Sequence, residues 1–171
     1  MTMTQSMEVF FDYACPYCMR AHEYLTELLP VYPQIEIIWR PCESHPRPDR
    51  YGPHSDLAIR GMFYAKDNGV NLMEYHAHMY DIALKSRINI EDVDALAGSV
   101  AHFMDAEGLC AALRAGAYQQ ELEQANSYAY DKSKVWVVPA YRLNGKKLDP
   151  IEDVGVNKKE LARFIEDALL S

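Results

Sequence analysis

Four cysteines in 171 residues are too few for a disulfide scaffold, and of these only Cys15 and Cys18 stand close together. Long apolar runs are also missing: no stretch approaches the roughly 18 residues that a membrane span needs. Basic charge is in deficit, with 17 Lys and Arg against 25 Asp and Glu and a net charge of −8. That balance argues against nucleic acid or an anionic membrane as the main partner. The opening "MTMTQSMEVF" has neither a basic end nor an apolar signal core, so a cytoplasmic chain is expected. A reducing compartment disfavours structural disulfides, which leaves the close pair for redox or metal chemistry.

What is present fits one domain, or one domain carrying a large insertion. Residues 7–13, "MEVFFDY", read as a buried strand, short and aromatic with no Gly or Pro. Ala21, Tyr24, Leu25, Leu28 and Leu29 then recur at helical spacing until Pro30 and Pro33 stop the helix. "QIEIIWR", 34–40, reads as a second strand, and the Pro-rich segment 41–54 as a loop. About five helices follow; one, over 90–104, is expected to take Asn89 as its cap. Extended segments return over 134–148, with Asn144-Gly145 as a type I′ hairpin turn. A last amphipathic helix opens with Asn157 and Glu160, spaced as a capping box.

The pair in "FFDYACPYCMRA" sits where the strand gives way to the first helix. A thiolate is the nucleophile of disulfide exchange, and a helix N-terminus stabilises that anion through its unsatisfied N–H groups and dipole. Pro16 fits the first helical turn, having no N–H to leave unpaired. Cys18 lies one turn on, within reach of a mixed disulfide at Cys15. Cys15 is therefore read as the nucleophile and Cys18 as the resolving thiol. A structural zinc site needs four ligands, and Cys42 and Cys110 lack partners at suitable spacing, so no metal is expected. Val138-Pro139 is the second signal: proline is excluded from central strand positions, which points to an edge or to a cis peptide at a strand start.

Together "FFDYACPYC", "WRPCESHP", the helical block and "VVPAYRLNG" resemble the DsbA-like branch of the thioredoxin superfamily, and within it the cytoplasmic FrnE-like members. The resemblance spans nearly the whole chain. It implies an α/β thioredoxin-like fold (βαβ…ββα), with residues 1–44 and 133–171 forming the thioredoxin-like part and 45–132 an inserted helical domain. It implies thiol–disulfide oxidoreductase activity with Cys15 and Cys18 as the redox pair, Pro16 and Tyr17 tuning the thiolate, and Val138 and Pro139 docking substrate. The substrate would be a disulfide- or thiol-containing protein or small molecule. No cofactor is implied beyond glutathione as a redox partner. Many relatives carry a buried acid six positions before the first cysteine; here that position is Val9, and Asp12 is the candidate to stand in. "CPYC" also occurs in glutaredoxins, but these have no helical block and a much shorter span between motif and Val-Pro.

Two other readings compete. A kappa-class glutathione-dependent transferase or isomerase shares the insertion architecture, but its members usually carry serine at the first active-site position. A non-catalytic chaperone or binding module would present an apolar groove on the helical block and would not need the cysteines. Among the histidines, His76 falls on an apolar stripe and reads as a packed core residue, while His78 points elsewhere. His45 and His54 lie in the Pro-rich loop without a spacing that assigns them a role. Cys42 reads as a buried thiol acting as a small hydrophobe.

Overall fold

A computed structural model describes residues 3–151 and 153–170; Met1, Thr2 and Ser171, at the ends of the expected thioredoxin-like part, lie outside the described residues. Four strands form one sheet: β1 (Gln5–Phe11), β2 (Ile35–Pro41), β3 (Ala140–Leu143) and β4 (Lys146–Leu148). Their order is β2-β1-β3-β4. β2 runs parallel to β1, while β3 is antiparallel to β1 and β4 to β3. Helix α1 (Pro16–Leu28) carries the crossover between the two parallel strands. This is the thioredoxin-like arrangement expected from the sequence.

β1 buries apolar residues on both of its faces, Met7, Val9 and Phe11 on one and Phe10 on the other, because both faces of the sheet are covered there. Met7 and Val9 pack with Ala21 and Leu25 of α1 and with Leu161 and Ile165 of α7 (Lys158–Leu169). Phe10 points the other way, onto Cys42, Ala129, Val135 and Ala140. Five helices stand between β2 and β3: α2 (Asp56–Asp67), α3 (Leu72–Tyr80), α4 (Val93–Ser99), α5 (Ala106–Arg114) and α6 (Gln119–Ser127). Their core, including Ile59, Met62, Tyr75, Met79 and Leu109, is continuous with Phe11, Tyr13 and Cys18. The helical layer is therefore packed directly behind the cysteine turn. α3 and α6 each run on into a wide turn closed by an i to i+5 hydrogen bond, Ser86 N–H to Asp81 O and Ser133 N–H to Tyr128 O, both 2.8 Å.

Three local expectations change. β1 ends at Phe11 rather than 13, because Asp12–Ala14 turn to deliver Cys15 to the helix. α4 starts at Val93 and its cap is Asp92, which accepts from Ala95 N–H at 2.8 Å; Asn89 instead accepts from Glu91 N–H at 3.1 Å. The turn between them seats Ile90 in the core before the helix begins. Finally, β3 starts only at Ala140, after a cis Val138–Pro139 bond, so 134–138 lies outside the ladder. The hairpin turn has Asn144 at φ 51° and Gly145 at φ 76°, the left-handed pair that type I′ requires. Asn157 and Glu160 form the capping box of α7.

Candidate functional site

Cys15 is the N-cap of α1, with extended backbone (φ −102°, ψ 118°), and Pro16 takes the first helical turn. No side chain caps this end, so the sulfur is placed at bare backbone donors. The Cys15 thiol is lowered from the usual range, first because the Cys18 thiol donates to it. The N–H groups of Cys18 and Tyr17 help, while burial and the charge of Asp12 oppose. Cys18 is 1% exposed, and its pKa is pushed well above the usual value by burial and by the proton it keeps in that bond. One turn of helix thus separates a thiol whose pKa is lowered from one whose pKa is raised.

The Cys15 sulfur lies 3.8 Å from the carbonyl oxygen of Val138, immediately before the cis bond to buried Pro139. Cys15, Tyr17 and Val138 share one cleft of about 400 Å³ with Glu43, His45, Tyr130 and Trp136. Trp136 is 84% exposed at its rim. Tyr17 is pinned across the opening: its hydroxyl donates to Asp153 O at 2.6 Å, and its ring lies on Gly155. A Cβ on Gly155 would come within 2.9 Å of that ring, and its φ of +77° suits glycine independently.

Asp12 is buried and serves as a tie. Its carboxylate accepts from Ala14 N–H at 3.0 Å and from Ser44 N–H at 2.8 Å, joining the turn before Cys15 to the loop after β2. Its charge works against the Cys15 thiolate rather than for it. Val9 is buried beneath, opposite Tyr141 on β3. Of the other residues weighed from sequence, His45 reaches the cleft. His54 does not line it; it is bound by Glu91 and by Asp49 O, both at 2.8 Å. Cys42 is fully buried on the far face of the sheet, and burial pushes its thiol up to about 12. Among the described residues no group of three or more His, Cys, Asp or Glu side chains is placed to hold a metal ion.

Sequence reasoning missed three parts of the site. Glu43 and Tyr130 come together across the fold, the Tyr130 hydroxyl donating to the Glu43 carbonyl. Trp136 arrives on the segment before the cis bond. His22 had a legible signal, since it stands four residues after Cys18 on the same face of α1.

A family model for the DSBA-like thioredoxin domain matches residues 6–162. The chain belongs to that family. Among curated proteins, this DSBA-like chain is similar to the uncharacterized protein YwbO of Bacillus subtilis (strain 168). The two are 23% identical over 175 residues, covering 81% of this chain and 86% of YwbO. Solved structures share the fold of this DSBA-like domain. A probable DsbA oxidoreductase from Streptomyces coelicolor superposes with a TM-score of 0.74 at 16% identity, over 96% of this chain and 89% of that one. A thioredoxin-like oxidoreductase from Silicibacter pomeroyi DSS-3 gives 0.72 at 21% identity, over 99% and 89%. DsbA from Xylella fastidiosa gives 0.71 at 16%, over 98% and 85%.

Proposed function

We propose that this chain is a cytoplasmic, FrnE-like thiol–disulfide oxidoreductase working through Cys15, Pro16, Tyr17 and Cys18. The observation that carries the reading is the opposed chemistry of the pair: a stabilised Cys15 thiolate at a helix N-terminus, a protonated Cys18 behind it, and the Val138 carbonyl alongside. The Cys15 thiolate attacks one sulfur of a substrate disulfide. That S–S bond breaks, one substrate thiolate leaves, and a mixed disulfide forms. Cys18 then loses its proton and attacks the Cys15 sulfur, releasing the second substrate thiolate and leaving a Cys15–Cys18 disulfide. Two electrons have passed to the substrate; the reverse sequence oxidises a dithiol. In a reducing compartment the dithiol is the resting form, and reduction or isomerisation is the favoured direction.

The substrate is a disulfide- or thiol-containing protein or small molecule that docks beside Val138 and Pro139, at the turn before β3. Glutathione serves as redox partner. Equilibration in graded reduced and oxidised glutathione, followed by alkylation and mass mapping, tests this reading. A reversible Cys15–Cys18 disulfide titrating as a two-electron couple is expected. A stable glutathione adduct on Cys15 with Cys18 free would instead support the kappa-class-like reading.

A further inference from the structure

Behind Cys18 lies a narrow cavity of about 10 Å³, bounded by Cys18 and His22 of α1 and His76 of α3 and otherwise by apolar and aromatic side chains. Roughly that volume accommodates one water, provided it finds two to four polar partners. The candidates are unusual. His22 Nδ1 and His76 Nε2 are both buried and have no hydrogen-bond partner among the described residues. His76 is 1% exposed, and the two rings stand 5.9 Å apart in an edge-to-face arrangement. Buried imidazole nitrogens without partners are costly, and a core packed only for stability would not place two of them at one cavity.

The His76 tautomer follows from its neighbour. The Tyr13 hydroxyl lies 2.7 Å from His76 Nδ1 and is held protonated by burial. It donates there, so His76 carries its proton on Nε2 and presents a donor. His22 Nδ1, which no described residue bonds, accepts when that ring carries its proton on Nε2, and this completes the set. We propose that one water in this cavity, held by His76 Nε2–H, passes the Cys18 thiol proton to His22 Nδ1 and makes His22 the general base for the resolving step. The proposal rests on the redox pair described above. In that step the Cys18 S–H bond breaks and an N–H bond forms at His22. The sulfur's electron pair attacks Cys15, and the substrate thiolate departs.

Burial holds His22 down to about 4 and His76 well below the usual histidine value, so both imidazoles are neutral at neutral pH. The other titratable groups facing the site are Cys15 and Asp12 in front, Tyr13 and Tyr80 beside the rings, and Tyr141 of β3. Burial keeps the three tyrosines protonated. Asp12 is bound to Ala14 and Ser44 N–H groups, and its charge raises Cys18. His22 is therefore the base left for Cys18.

The test uses a chromogenic aromatic disulfide as substrate. Reaction at Cys15 releases one coloured thiolate, and attack by Cys18 on the adduct releases a second, so the resolving step is observed alone. For the wild-type chain the second-phase rate should be nearly flat from roughly pH 5 to 8, because neutral His22 is always available. His22→Gln should slow it about tenfold or more at pH 7 and make it climb about tenfold per pH unit, tracking free Cys18 thiolate. A wild-type rate that already climbs so steeply, or a His22→Gln chain that keeps the flat profile, overturns the relay. The wild-type profile decides even where the variant fails to fold. If the wild-type adduct forms and no second thiolate is released, the resolving role of Cys18 fails, and the redox-pair reading with it.

Discussion

Cys15 is half-buried at the mouth of a cleft of about 400 Å³, whereas Cys18, one turn along the same helix, is sealed at 1% exposure against the helical layer. The first is held toward thiolate by its partner's proton and by helix N-terminal donors, the second toward thiol by burial. Two identical side chains are thus biased in opposite directions, and no cation among the described residues figures among the causes of either shift. What differs is how much water each sulfur keeps and which backbone donors it faces. The same helix face that seals Cys18 also buries His22, so the deep side has its own polar chemistry.

The comparison breaks most sharply by removing one thiol at a time. Cys15→Ser is expected to lower disulfide reduction more than about 100-fold, with circular dichroism unchanged. Cys18→Ser should leave the first attack intact and accumulate a mixed disulfide on Cys15, visible as a mass adduct. Equal loss in both without an adduct would contradict the division of roles.

The deep side also predicts an acid sensitivity. The His22 pKa falls from 6.5 to about 4 on folding, so between these values the unfolded chain binds more protons. Stability from this group is complete above pH 6.5 and is lost as pH falls toward 4. Denaturant unfolding at pH 7 and pH 5 should differ by roughly 2 kcal/mol more in the wild type than in His22→Gln. An equal loss in both chains would mean that His22 is not buried neutral.

Asp12→Asn probes the shallow side. Removing the charge should move the alkylation midpoint of Cys15 downward, because Asp12 raises it. Ala14 and Ser44 bond different carboxylate oxygens, and the amide puts a donor NH2 in place of one of them, so stability should also fall by about 1–2 kcal/mol. An upward midpoint would restore Asp12 as a thiolate-promoting group. The smallest effect is expected at Trp136→Ala: about 1 kcal/mol of substrate binding, seen as a roughly fivefold rise in KM with kcat unchanged.

Much of this was legible beforehand because it is local. The β1–α1 junction, Pro16 in the first turn, the Asn144-Gly145 hairpin and the Asn157–Glu160 box each follow from the backbone preferences of a few neighbouring residues. Asn89 and Asp92 show the limit. Both are good caps, and the choice fell to Asp92 because Ile90 had to reach a core built by distant helices. Residues 134–138 read as strand from composition, yet β1 offers antiparallel partners only from Ala140 onward.

The sequence alone determined that a strand delivers two cysteines to a helix N-terminus and that strands return after the helices. Backbone conformation and the helix dipole act within a turn or two of chain, and a sequence records them directly. Only the tertiary structure decided what surrounds the sulfurs. It set the Val138 carbonyl 3.8 Å from Cys15, turned Asp12 into a tie to Ser44, and brought His76 from α3 to the cavity behind Cys18. Burial and the meeting of groups more than thirty residues apart are properties of packing, and packing is where the two thiols become different.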